Sequence, residues 1–421
     1  MGVHRLWSYI KKHRHALITY FDLVEVAEGY PGGLKLLVDF YSWEHFILAK
    51  FWDSLSQSAQ NKNIIFAGGE YSMIDAFIKE FILRLRAVNI ELVFFLDGAK
   101  GSAYTSSKQK LRTWQSRYSD DQKRLKNTAD FLRGKLPLER VDTEHLTRPC
   151  LQEVQNVLTL QECGCVIHLQ VSGEADHIIA KHLRDDAAAF AVLSNDTDFC
   201  IFEHCVLMPL DFFDMNNDLG LGLMSLNVKT PEHLKCGIIR TERVMSLLGL
   251  PDHESLIELA VISGNDFTLP FLNTIQTFKA SYMGQLDKLA CMIYNNGVAE
   301  KCTFFGPMIA SDPELREAVE HSRQFYSLTL KEEGEKETCF NFHLIADDIR
   351  RGRLPSTIVA MYRGQYWHRQ VLEDPSPGFP CADLAFTPLR AYIYTILLPS
   401  DKMSVTEIGR TPYLPVQQIT V

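Results

Sequence analysis

Four apolar runs of strand length, each handing over to a carboxylate, constrain this chain more than any other feature. The run at 34–38 ends on Asp39, and the run at 90–96 ends on Asp97 with Gly98 behind it. The run at 166–171 leads across Ser172 and Gly173 to Glu174 and Asp176, and the run at 189–193 leads across Ser194 and Asn195 to Asp196 and Asp198. Apolar runs that are continuous rather than alternating are the pattern of strands buried on both faces of a parallel sheet. In an open α/β sheet the C-terminal ends of such strands line one edge, where ligands bind in a crevice. A further acid, Asp266, follows Ser263, Gly264 and Asn265 after a helical stretch that can return to the same edge.

Gathering these carboxylates is costly, since unit charges about 4 Å apart repel by roughly 1 kcal/mol in water and about 4 kcal/mol at an effective dielectric near 20. A cation, or bound protons, must offset the repulsion. Oxygen donors with no His or Cys among them suit Mg²⁺ or Mn²⁺ and not Zn²⁺. Two such ions, roughly 3.5–4 Å apart, clamp the attacking and leaving oxygens in phosphodiester hydrolysis. Any one acid after a strand is an ordinary loop or N-cap residue, because Asp and Ser favour those positions. The whole set, arriving at matching strand ends, points to a divalent-metal site.

Between the runs, 41–51 is aromatic and apolar on one face, and Ile74, Phe77, Ile78, Phe81, Ile82 and Leu85 recur at helical spacing. Both segments read as helices covering the sheet. The stretch 100–135 is the one strongly basic segment. Lys100, Lys108, Lys110, Arg112, Arg117, Lys123, Arg124, Lys126, Arg133 and Lys135 there face only Asp120, Asp121 and Asp130. Basic side chains placed directly after a metal ligand would neutralise backbone phosphates, and Trp114 and Tyr118 could stack on bases. The plainer reading is a solvated basic helix.

In these residues the chain resembles the flap-endonuclease superfamily, the PIN-like nucleases that include the XPG proteins. The opening Met1-Gly2-Val3-His4-Arg5-Leu6 is similar to that family's start, with Arg5 where Gly is usual. Val38-Asp39, Phe95-Leu96-Asp97-Gly98, Gly173-Glu174-Ala175-Asp176, Asn195-Asp196-Thr197-Asp198 and Gly264-Asn265-Asp266 match its metal motifs in order. Gly68-Gly69-Glu70-Tyr71 and the stretch from Val192 to Phe202 look most like the Asteroid proteins, and a coactivator family of nuclear receptors shares this N-terminal region. The resemblance covers about residues 1–270.

It implies an α/β fold, a PIN-like parallel or mixed sheet flanked by helices, over 1–270, with 100–135 inserted as a basic arch and a mostly helical region over 271–421. It implies two Mg²⁺ or Mn²⁺ ions, one among Asp39, Asp97, Glu174 and Asp176 and the other among Asp196, Asp198 and Asp266. It also implies contacts to nucleic acid from Gly2, Lys100, Lys108, Lys110, Arg112 and Arg117, with Lys108, Lys110 and Arg112 the candidates for the family's catalytic basic residues. Asp176 stands where flap endonucleases carry Glu, and Asteroid proteins, like this chain, carry Asp there. The expected substrate is DNA with single-stranded flaps or overhangs, RNA not being distinguished, with a role in DNA repair and a nuclear location. The Gly-rich helix-two-turn-helix that grips duplex is missing after Asp266, where Phe267-Thr268-Leu269-Pro270-Phe271 stands. The alternative is a nuclease-derived scaffold that binds nucleic acid or acts as a coactivator without cutting. A phosphatase built on Asp196 and Asp198 leaves Asp39, Asp97 and Glu174 unexplained.

Composition bounds these expectations. A chain of 421 residues suggests two domains. A net charge of −9 argues against coating nucleic acid by bulk attraction. The 10 cysteines form no C-x-x-C pair, which favours free thiols over structural zinc. No run is long enough for a membrane span, and Leu6 stands where myristoylation needs Ser or Thr. Arg350, Arg351 and Arg353 read as a surface cluster.

Overall fold

The computed structural model describes residues 2–58, 66, 69–99, 105–142, 149, 151–171, 173–213, 231–329, 342–368, 373–374, 382–398, 404–408 and 416–420. Within those segments the side chains at 56–58, 105–112, 115, 342–344, 382–383 and 416–420 are outside the description. The four apolar runs form strands β2 (Leu34–Asp39), β3 (Ile90–Leu96), β4 (Val166–Leu169) and β5 (Ala189–Leu193). With β1 (Ile18–Asp22), β6 (Val206–Met208) and β7 (Lys235–Arg240) they make one sheet of order β1-β7-β6-β5-β2-β3-β4. β2 lies between β3 and β5 and is parallel to both, while β7 runs antiparallel to β6 and β1. The fold is therefore an α/β mixed sheet, with the carboxylate-bearing ends of β2, β3 and β5 pointing the same way.

Both faces of the sheet are covered, which is why its central strands carry no polar alternation. Leu36, Val38 and Phe94 face one core with Trp43, Phe77 and Phe81, from the helices Phe40–Ser58 and Tyr71–Ala87. Trp43 meets Phe94 edge-on at a 4.9 Å centroid separation. Leu37, Phe95 and Val192 face the other core, built by Leu6–Lys12, Asp176–Asp185, Thr241–Leu247 and His253–Ser263. That second core runs on without interruption through Phe267, Phe271, Phe278, Leu289 and Tyr326. Helices beyond residue 270 thus close the sheet's second face.

The region after 275 is mostly helical, as its sequence suggests, but it also holds a small sheet that the sequence reading omitted. Strands β8 (Gln365–Trp367), β9 (Ser404–Ile408) and β10 (Val416–Thr420) pair in the order β10-β9-β8. Runs of three to five residues carry too little periodicity to declare a strand, and these are fixed by what packs on them. Glu407 on β9 is fully buried and accepts from Arg390 Nε at 2.8 Å and from the Tyr394 hydroxyl at 2.6 Å. Burial raises its carboxyl, yet hydrogen bonds from Arg390, His368 and Tyr394 hold it well below the usual carboxylate range. Arg351 pairs with Asp347 at 2.7 Å, in keeping with a surface cluster. Among the described residues no helix is long and apolar enough to cross a membrane.

Candidate metal centre

Each strand end delivers its acid through short, locally fixed geometry. Asp39 is the last residue of β2, where its Oδ2 accepts from Ser194 Oγ at 2.8 Å and its Oδ1 from the Ser42 N–H at 3.4 Å. Asp97 follows β3, and its Oδ1 accepts from the Ala175 N–H at 2.9 Å, tying the β3 end to the Glu174–Asp176 loop. That loop is further bound by the Gly98 N–H to the Gly173 carbonyl at 2.8 Å. Asp196 caps the short helix Thr197–Cys200 by accepting from the Asp198 N–H at 3.0 Å. Asp266 follows the left-handed Gly264, whose carbonyl accepts from the His4 N–H at 2.8 Å.

These segments converge. One carboxylate oxygen from each of Asp176, Asp196 and Asp198 lies within 4.8 Å of the others. Asp198 is the buried member at 2 % exposure, and Asp176 and Asp196 are half-buried. Burial and the neighbouring charges of Asp97 and Asp196 push the Asp39 carboxyl up to about 7, against the hydrogen bonds from Ser194 and Ser42. Burial, together with Glu174, Asp196, Asp39 and Asp97, pushes Asp176 well above the carboxylate range. Arg117 joins the remaining acid, with its Nη2 2.6 Å from Asp266 Oδ2 and its charge also facing Glu174 and Asp196. Of the seven acids picked out in the sequence, Asp176, Asp196 and Asp198 form the close trio, while Asp39, Asp97 and Glu174 lie near enough to shift its charge and Asp266 is held by Arg117. In the trio Asp176, which the resemblance assigned to the first ion, sits beside Asp196 and Asp198, which it assigned to the second.

The donor set fits a hard divalent cation. Among the described residues the close trio contains only carboxylate oxygens, and Asp39 and Asp176 are raised first by burial and then by the acids beside them, both of which a bound cation would offset. Asp176, Asp196 and Asp198 would hold such an ion, with Asp39, Asp97 and Glu174 beside them.

The expected nucleic-acid contacts are placed unevenly. Gly2 has φ +77°, and a Cβ there would lie 2.6 Å from Thr197 Oγ1 and 2.7 Å from the Asp198 nitrogen, so only glycine lets the N-terminus pack on this turn. Lys100 lies outside the described residues, and Lys108, Lys110 and Arg112 sit in the helix Thr105–Leu132 with side chains outside the description. Arg117, on that helix, reaches the acids. Trp114 does not present a free stacking face, and Tyr118 is half-buried. Trp114 is buried at 8 % exposure against Trp367, with ring centroids 5.3 Å apart, and Tyr118 packs on Trp367 at 5.6 Å. The hydrophobic gain from burying these rings against β8 outweighs leaving them open to solvent. Ser42, Ser194 and Tyr326 also touch the acids and carried no signal of their own in the sequence. Tyr326 in particular lies 128 positions from the carboxylate it meets.

Comparison with protein-family models found no match, and comparison with curated proteins found none. Among solved structures, the chain is similar to human GEN1 in complex with Holliday junction DNA at 14% identity and a TM-score of 0.37, over 86% of this chain and 76% of that one. It is similar to the Holliday junction-resolving enzyme GEN1 in complex with product DNA and Mg²⁺ at 16% identity and a TM-score of 0.36, over 82% of this chain and 68% of that one. A eukaryotic junction-resolving enzyme GEN-1 binding caesium matches at 17% identity and a TM-score of 0.36, over 92% of this chain and 72% of that one. Overlap this slight decides neither family nor chemistry, which rest on the chain's own residues.

Proposed function

We propose that the chain is a metal-dependent nuclease of the PIN-like, flap-endonuclease type, closest to the Asteroid proteins, that hydrolyses phosphodiester bonds in DNA bearing single-stranded flaps or overhangs. A role in DNA repair and a nuclear location belong to the same proposal. The observation that carries it is the convergence of Asp176, Asp196 and Asp198 within 4.8 Å at the edge where Asp39 ends β2 and Asp97 follows β3. Asp176, Asp196 and Asp198 would hold a divalent cation, or with Asp39, Asp97, Glu174 and Asp266 the two of the resembled family, which would supply Lewis-acid charge to a phosphate oxygen and lower the pKa of a bound water.

The chain's own groups prepare the site for that role. Ser194 and Ser42 fix the Asp39 carboxylate, and the Ala175 N–H fixes Asp97, so neither must reorganise when positive charge arrives. Arg117 sits at the boundary between the acids and the basic helix, where its guanidinium can meet a phosphate in a bidentate grip. The basic side chains of 100–135 supply local attraction that a net charge of −9 withholds elsewhere.

The test is cleavage of labelled flap, overhang and single-stranded DNA in Mn²⁺. Wild type is expected to cut, and Asp196→Ala combined with Asp198→Ala to lower the rate by about 100-fold or more. Undiminished cutting by the double variant would reject these acids as the active site. The Arg117–Asp266 ion pair favours one second reading, a scaffold whose acids are partly neutralised from within and which binds nucleic acid or a transcription partner without cutting. Tight DNA binding with no product in any metal decides for the scaffold.

A further inference from the structure

Tyr326 closes the helix Pro313–Tyr326, is fully buried, and donates its hydroxyl to Asp198 Oδ1 at 2.5 Å. Its ring packs on Phe202 and Phe325, at centroid separations of 5.6 Å and 5.2 Å, in the core behind the metal centre. A phenylalanine would supply that packing equally well. A phenol in the same place costs free energy unless its hydroxyl finds a partner, and the partner here is the most buried carboxylate of the trio. The Asp198 N–H is already committed to Asp196 Oδ1 at 3.0 Å. Backbone and side chain of Asp198 are thus held from two directions.

The helix that carries Tyr326 is itself firmly tied. Arg323 bridges Glu258 at 2.5 Å and Glu300 at 2.8 Å, and Ser322 Oγ accepts from Asn265 Nδ2 at 2.5 Å, next to Asp266 in the chain. One helix beyond residue 270 therefore fixes both the Asp198 carboxylate and the turn that presents Asp266.

We infer that Tyr326 is a positioning residue of the metal centre: its hydroxyl occupies one side of Asp198 Oδ1 and orients the carboxylate toward Asp176 and Asp196. The inference rests on the metal reading above. A neutral donor suits this task, because it fixes the carboxylate and adds no cation to compete with the metal. Partners of metal-binding carboxylates typically change affinity by about 10–100-fold when removed.

The experiment is Mn²⁺ titration of the full chain, comparing wild type, Tyr326→Phe, Asp198→Asn, the double variant of these two, and Asp196→Ala with Asp198→Ala. Tyr326→Phe is expected to weaken Mn²⁺ binding about 10-fold, to leave the metal-free unfolding temperature near that of wild type, and to regain cleavage at saturating Mn²⁺. In the Asp198→Asn background it is expected to add no further loss. Wild-type affinity in Tyr326→Phe, or an equal loss in both backgrounds, overturns the inference and leaves the metal reading intact. Failure of that reading looks different, since wild type then binds no better than Asp196→Ala with Asp198→Ala. If Tyr326→Phe fails to fold, 3-fluorotyrosine placed at 326 gives a ¹⁹F resonance that must shift on adding Mg²⁺, and an unmoved resonance overturns the inference.

Discussion

At the residue level, Asp39 registers the cost of collecting acids. Its carboxyl is raised to about 7 by burial and by Asp97, so the metal-free folded state holds a proton that the unfolded state gives up near pH 4. Between those two pH values the folded form binds more protons than the unfolded one, and stability falls as pH rises. Metal-free protein is therefore expected to melt at a higher temperature at pH 5 than at pH 8, judged by thermal unfolding in a chelator. A saturating divalent cation removes most of that slope by favouring the charged carboxylates. A metal-free melting temperature that climbs from pH 5 to pH 8 contradicts this account of Asp39. Arg5 makes a related point, because it holds φ +64° where the resembled family carries glycine, a conformation that costs a side-chain-bearing residue about 1–2 kcal/mol.

At the level of elements, the long helix Thr105–Leu132 is tied down at both ends of its function. Arg117 points at the acids, while one residue on Tyr118 donates to the His368 carbonyl and packs with Trp114 on Trp367 and Ile408. The small C-terminal sheet thus seats the helix that presents its arginine to the acids. Trp367→Ala is expected to cost about 3 kcal/mol and to speed amide hydrogen exchange in residues 113–132, with β2 and β3 unaffected. Unchanged exchange in that helix would show that β8 does not seat it. The strands at the centre were readable as continuous apolar runs because a parallel sheet covered on both faces admits few polar residues. β8 was not, since three residues cannot display a period and Trp367 reads equally well as part of a helix.

For the whole molecule, the acidic cluster is assembled from segments spread between Gly2 and Tyr326, so a cation bound there would brace elements far apart in the chain. A ligand that binds only the folded state adds about 2.7 kcal/mol at 100 times its dissociation constant. Mn²⁺ at that excess is expected to raise the unfolding temperature of wild type by several degrees and to leave Asp196→Ala with Asp198→Ala where it was. Equal shifts in both proteins would mean that the ion binds elsewhere.

The order of apolar runs and acids already dictated the α/β sheet and nominated the seven carboxylates, because strand burial and the placing of acids at strand ends are local properties written in consecutive residues. Which acids become nearest neighbours was not written there. Asp176 joins Asp196 and Asp198, Arg117 turns inward to Asp266, Trp114 is buried under Trp367, and Tyr326 reaches back to Asp198. Each of these depends on how helices pack across the sheet, and packing brings together side chains whose separation along the chain leaves no periodic trace.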